Sequence, residues 1–161
     1  TNTGQARYAE ALANMGRRQD AIASARKAWT SGSLSAEDEA AVFARFGAQL
    51  STADQDERMA RLLWAGKTSA AARQLPLTSA AKRDLFTARL ALRTNAPDAQ
   101  LLADALPASL QSDAGFVADK AIWLRASSPD AAVAWLAEPR RLSSHPAEVE
   151  RWFELLLSTA R

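Results

Sequence analysis

The sequence predicts an all-α fold of antiparallel helix hairpins stacked as a solenoid, and three observations predict it. Thirty-eight of the 161 residues are alanine, the best helix former and small enough to let helices approach closely. Apolar residues recur at i, i+3, i+4 and i+7 along most of the chain. No stretch alternates with period two for long enough to argue a strand. At this length the chain buries roughly 68–70% of its unfolded surface, enough for a core.

The elements follow in chain order. Ile22, Ala25 and Trp29 form one stripe between Arg17 and Ser31. Ser35 is the expected N-cap of the next helix, with Glu37, Asp38 and Glu39 in its first turn and Val42, Phe43 and Phe46 on its apolar side. A helix from Ala53 to Ala65 carries Met59, Leu62 and Leu63 inward and ends at Gly66, a C′ glycine. Lys67 to Leu75 reads as a short helix closed by Pro76. Ser79 to Thr94 is longer, with Leu85, Ala88 and Leu92 on one stripe. Pro97 and Pro129 are each placed at N1, Pro129 behind the N-cap Ser128. Val117, Ala121 and Leu124 stripe a helix between Ser112 and Ala126. The last helix is expected from about Pro146 and carries Val149, Trp152, Phe153 and Leu156. This gives about ten helices of roughly 8–17 residues joined by short connections.

Spacing within the first hairpin is that of a repeat. Gly16 is followed by Ala21-Ile22 and then Ala28-Trp29, as in the second helix of a tetratricopeptide (TPR) repeat, where small residues let paired helices touch. Gly66 with Ala71-Ala72 echoes it, and Ser127 with Ala132-Val133 does so more faintly. The period is irregular, roughly 30–60 residues, so the units are degenerate and TPR-like. Residues 1–161 are read as one α-superhelical domain, part of a longer chain. The opening Thr-Asn-Thr-Gly, with neither Met nor a leader, suits a processed or excised segment.

Charge and composition exclude several chemistries. Twenty Lys+Arg against 18 Asp+Glu leave a net charge of +2, and the cations are interleaved with acids rather than gathered in a stripe. Nucleic acid is therefore not the expected partner. No apolar run is long enough for a membrane span. Cysteine is absent and His145 is the single histidine, so no metal-ligand set, thiol chemistry or cofactor is expected. The sequence has no P-loop, GxGxxG, HExxH or EF-hand spacing. The acidic groups Glu37-Asp38-Glu39, Asp54/Asp56/Glu57 and Glu148/Glu150/Glu154 lie at predicted helix starts, where the dipole favours them. Trp29, Trp64, Trp123, Trp135 and Trp152 suit inter-helix packing better than stacking on sugar rings.

One stretch goes further. Asp56-Glu57-Arg58-Met59-Ala60-Arg61-Leu62-Leu63-Trp64-Ala65-Gly66-Lys67 is followed by Ala70-Ala71-Ala72-Arg73-Gln74-Leu75-Pro76-Leu77. Then come Ala88-Arg89-Leu90-Ala91-Leu92-Arg93 and Ala96-Pro97. This order resembles the α-superhelical domain of soluble lytic murein transglycosylases, in which RLLW-x-G leads to A-x-x-x-LPL and an AR-x-ALR helix. The likeness extends over about residues 36 to 157, through Leu106-Pro107, Asp113, Gly115-Phe116 and Trp123-Leu124-Arg125.

The resemblance implies a periplasmic, non-catalytic scaffold. Members of that family cleave the MurNAc-β-1,4-GlcNAc bond of peptidoglycan to a 1,6-anhydro product. They use a Glu followed by Ser in a separate C-terminal lysozyme-like domain. None of Glu10, Glu37, Glu39, Glu57, Glu138, Glu148, Glu150 or Glu154 precedes Ser, so no catalytic residue is carried over. Implied partners are glycan strands and that catalytic domain, with Arg17, Arg18, Arg140 and Arg141 as contacts for peptide-stem carboxylates. The alternative is a TPR-like adaptor with no enzymatic link, taking a protein segment in a concave groove.

Overall fold

The computed structural model describes residues 1–160 and is all-helical, with eleven α-helices and no strand among them. The chain divides into two compact units, Thr1–Ser79 and Ala80–Arg161.

The first unit contains α1 (Asn2–Asn14), α2 (Arg18–Thr30), α3 (Ala36–Phe46), α4 (Thr52–Trp64) and α5 (Thr68–Gln74), with 3-10 turns at Gly47–Gln49 and Leu75–Leu77. Helices α1 and α2 pack along their length, with Ala6, Ala9, Ala21, Ala25 and Ala28 all buried. Gln5 reaches across this seam to the Ser24 hydroxyl at 2.7 Å. The buried Trp29, Leu34, Val42 and Phe46 complete the core. Ala21 and Ala28, the alanines of the repeat spacing, are thus both buried in this core.

Helix ends in this unit obey local chemistry. At Gly16 and Gly66 the backbone turns left-handed, with φ of 78° and 69°. The following amides return to the helix ends, Arg17 to the Leu12 carbonyl and Lys67 to the Leu62 carbonyl, each at 2.9 Å. Those bonds are the Schellman closure that satisfies otherwise orphaned carbonyls. Ser35 caps α3 by accepting from the Asp38 amide at 3.0 Å. Ser51 and Asp54 cap α4 reciprocally: the Asp54 amide donates to the Ser51 hydroxyl, and the Ser51 amide donates to the Asp54 carboxylate. Helix α5 ends before Pro76 as expected, with Lys67 and Leu75 as its caps, and Pro76 continues into the Leu75–Leu77 3-10 turn. Proline is accepted there because the first residues of a turn have no donor obligation.

Asp54 makes that cap sensitive to acid. Burial works against its charge, but hydrogen bonds from the Ser51 amide and hydroxyl, together with Arg26, hold its carboxyl below the ordinary carboxylate range. A carboxyl depressed in the folded state adds stability that is fully present above its unfolded pKa, about 3.9, and is lost as pH falls through its folded pKa. The stability gap between wild type and Asp54→Asn should therefore narrow below about pH 4 in urea titrations across a pH series. A gap that stays constant through that range would remove Asp54 as the source.

The second unit contains α6 (Ala80–Thr94), α7 (Ala99–Asp104), α8 (Ala108–Gln111), α9 (Ala114–Ser127), α10 (Pro129–Ala137) and α11 (Val149–Ala160). Its core gathers Leu85, Ala88 and Leu92 of α6, Ala99 and Ala103 of α7, Leu106, and Phe116 of α9. Asp113 caps α9 through the Phe116 amide, and Ser128 caps α10 with Pro129 at its first position. Two sequence expectations shift here. Pro97 is not at N1: Asn95 ends α6 with φ 52°, and α7 starts only at Ala99 behind Asp98. The Ala96 amide closes back onto the Ala91 carbonyl, so the chain needs the intervening turn before a helix can restart. The last helix begins at Val149, leaving His145 exposed and Pro146 in the preceding connection. Its inward side is Leu155 with half-buried Trp152 and Leu156, while Val149 and Phe153 are exposed at 55% and 58%.

Gly115 is required for a steric reason. A Cβ at this position would fall on the Arg89 guanidinium, which lies against the glycine and is itself buried. Arg89 is pinned by Asp119 and cannot swing away freely. Gly115→Ala should cost about 1–3 kcal/mol of unit stability, the usual scale of overpacking. Thermal unfolding checks this, and an unchanged Tm would show that Arg89 yields.

Candidate functional site

Sequence reasoning singled out two arginine pairs, and each falls in a different unit. In the first unit, Arg17 and Arg18 follow the left-handed Gly16 at the α1–α2 turn, and both are exposed. The pair does not act together. Arg17 is bound to the Asp20 carboxylate at 2.7 Å, one helical turn on. Arg18 instead lines a pocket of about 430 Å³ with Ala13, Ala21, Ile22, Arg45 and Phe46. In the second unit, Arg140 turns inward: it donates to the Trp135 carbonyl at 2.6 Å, meets Glu138 at 2.7 Å, and lies 4.0 Å from the Trp135 ring centre. Arg141 is exposed.

The tryptophans are occupied by packing. Trp29 is buried, stacks on Phe43 with ring centres 5.7 Å apart, and carries the Arg58 guanidinium 4.1 Å from its ring. Trp64 is also buried. Trp135 meets Phe116 edge-on and has both Lys120 and Arg140 over its ring, while its indole N–H donates to the Val117 carbonyl. Trp123 donates to Asn95 at 3.0 Å. Rings covered in this way hold helices together and offer little flat surface to a sugar.

Most carboxylates of the first two acidic groups are likewise engaged. Glu39 accepts from Arg58 at 2.9 Å and from Arg73 at 3.1 Å. Asp38 accepts from Thr3, and Asp56 accepts from the amide and hydroxyl of Ser79 at 2.8 and 2.7 Å. Glu57 lies 3.6 Å from Arg61, one turn along α4. Glu148, Glu150 and Glu154 are on the exposed side of the terminal segment. Glu39 borders a groove of about 400 Å³ walled by Trp29, Phe43, Pro76 and Leu77, with Arg73 at its edge. Held by two guanidiniums, this carboxylate serves as an electrostatic clamp between α3, α4 and α5. The same clamp raises the Arg73 guanidinium above its ordinary value, through the hydrogen bond and charge of Glu39.

Two buried ion clusters, neither anticipated from sequence, organise the units. Arg58 is fully buried and donates to the Trp29 and Gly32 carbonyls at 3.0 and 2.7 Å besides Glu39. Burial pushes its guanidinium below the ordinary arginine range, and Glu39 pulls the other way. In the second unit the buried Asp119 receives Arg89 at 2.7 Å and Arg93 at 2.6 Å, with Asp113 3.8 Å from Arg89. A signal did exist: Arg58 precedes Leu62 by four residues, and Arg89 lies between Leu85 and Leu92, so both arginines fall on apolar stripes. Among the described residues, no group of three or more His, Asp or Glu side chains is placed to hold a metal ion. No described helix is long and apolar enough to cross a membrane.

No family model matches the chain. No curated protein and no solved structure matches it either.

Proposed function

We propose that this chain is a non-catalytic helical scaffold of a periplasmic lytic transglycosylase acting on peptidoglycan, its hairpins stacking as a TPR-like superhelix. One observation carries the reading: each piece of the quoted run falls on the element its chemistry requires. Arg61-Leu62-Leu63-Trp64 closes α4, and Gly66 is the left-handed residue that ends it. Leu75-Pro76-Leu77 is the 3-10 turn, and Ala88 to Arg93 runs to the end of α6. The engaged carboxylates Glu39, Asp54 and Asp56 agree with a frame that positions glycan for a catalytic domain elsewhere in the parent enzyme. Arg18 and Arg141, exposed and outside any ion pair among the described residues, are the arginines of the two pairs best placed to meet peptide-stem carboxylates.

The test is sedimentation with purified sacculi, followed by analysis of the supernatant for anhydro-muropeptides. The chain should pellet with sacculi at low salt and release no 1,6-anhydro product. A chain that stays in the supernatant overturns the peptidoglycan reading in favour of the adaptor. Product release overturns the non-catalytic part. The parent reading frame should also continue into a lysozyme-like domain containing Glu-Ser.

A further inference from the structure

The Arg18–Arg45 pocket of the first unit has a composition that selects a ligand class. Ala13, Ala21, Ile22 and Phe46 give it apolar walls beside Gly16, while Arg18, Arg45 and Gln49 supply polar groups. No Asp or Glu lines it. Of the eight arginines in the unit, Arg17, Arg26, Arg58, Arg61 and Arg73 are each ion-paired to a carboxylate. Arg18 and Arg45 are not, among the described residues, and they share one cavity.

Arg45 is also held in place without being neutralised. One of its terminal nitrogens donates to the Asn14 side-chain oxygen at 2.7 Å, and its guanidinium lies 5.9 Å from the Phe46 ring centre. Asn14 fixes the group's position and leaves its charge and its other N–H donors available. A donor fixed before binding loses less freedom when the ligand arrives. Two guanidiniums beside an apolar pocket of about 430 Å³ match a carboxylate attached to an apolar body.

We propose that this pocket binds the terminal carboxylate of a peptide ending in an apolar residue, with Arg18 and Arg45 holding the carboxylate and Ile22 and Phe46 taking the side chain. The natural ligand, a peptide stem, rests on the peptidoglycan reading, whereas the pocket's chemistry does not.

The test is a titration of the ¹⁵N-labelled chain, followed by NMR, with glycan-free probes. N-acetyl-glycyl-leucine should give saturable shifts at Gly16, Ile22 and Phe46, and its C-terminal amide should give none. Arg18→Ala and Arg45→Ala should each weaken binding about tenfold, the scale of one charge-assisted hydrogen bond. Arg17→Ala should leave binding unchanged, because that side chain is committed to Asp20. All three positions are exposed, so the variants should keep the wild-type spectrum elsewhere. Isovalerate should bind more weakly than the peptide; equal binding would keep the carboxylate chemistry and overturn the peptide assignment. Inorganic phosphate binding more tightly than the peptide, equal binding of the amide, an equal loss in Arg17→Ala, or no saturation would each overturn the proposal. Probe binding with no retention on sacculi keeps this site and removes the peptidoglycan reading. Retention without probe binding does the reverse.

Discussion

Asp119→Ala should lower the stability of the Ala80–Arg161 unit by about 3–5 kcal/mol, the cost of breaking a buried ion pair from one side. The Asp119 side chain is fully buried and receives two guanidiniums, Arg89 at 2.7 Å and Arg93 at 2.6 Å. Removing it leaves two cations close together, one of them buried, with the Asp113 carboxylate 3.8 Å from Arg89. The arrangement cannot relax cheaply, because Gly115 lies against the Arg89 guanidinium. Hydrogen exchange at the amides of α6 and α9 gives the unit's own stability without interference from the other unit. A loss below about 1 kcal/mol would mean that the cluster behaves as a surface pair. A compensating Arg89→Met in the Asp119→Ala background should recover part of the loss, since an apolar pair no longer strands a charge.

Arg58→Ala should have an effect of the same order, about 3–5 kcal/mol, in the Thr1–Ser79 unit. Three bonds vanish at once, to the carbonyls of Trp29 and Gly32 and to Glu39. Face contact with Trp29 is lost as well, and a cavity replaces the longest buried side chain of the unit. Arg58→Met restores most of the volume but none of the hydrogen bonds, so the difference between the two variants separates cavity from polar loss. Arg73→Ala touches the same Glu39 from the solvent side and should change stability little. Urea unfolding of the three variants decides the matter. Equal effects of Arg58→Ala and Arg73→Ala would show that the buried cluster adds nothing special.

These clusters mark where the sequence was readable and where it was not. Helix class, the Ser35 and Ser128 caps and the Gly66 stop follow from local rules, and the structure places them as those rules require. On α11, Val149, Trp152, Phe153, Leu155, Leu156 and Leu157 cover more than half of the helix circumference. Periodicity then cannot say which side meets the core. Pro97 was placed in a helix because proline suits N1, but the closure at Asn95 takes precedence over that preference. Arg58 and Arg89 lie on apolar stripes, but their partners Glu39 and Asp119 come from other helices, which no local spacing announces. The Arg18–Arg45 pocket joins residues from α2 and α3, far apart in sequence, and no local spacing announces it.

The contact between Gly115 and Arg89 also carries information about descent. A relative of this protein with any side chain at the position of Gly115 has no room for a guanidinium there, so it should also have replaced the arginine at the position of Arg89. The carboxylate at Asp119 would then lose its principal partner and should change with them. The three positions are expected to vary together or not at all across sequences that share this fold. Such linked substitutions give a search pattern for remote relatives that overall similarity would miss.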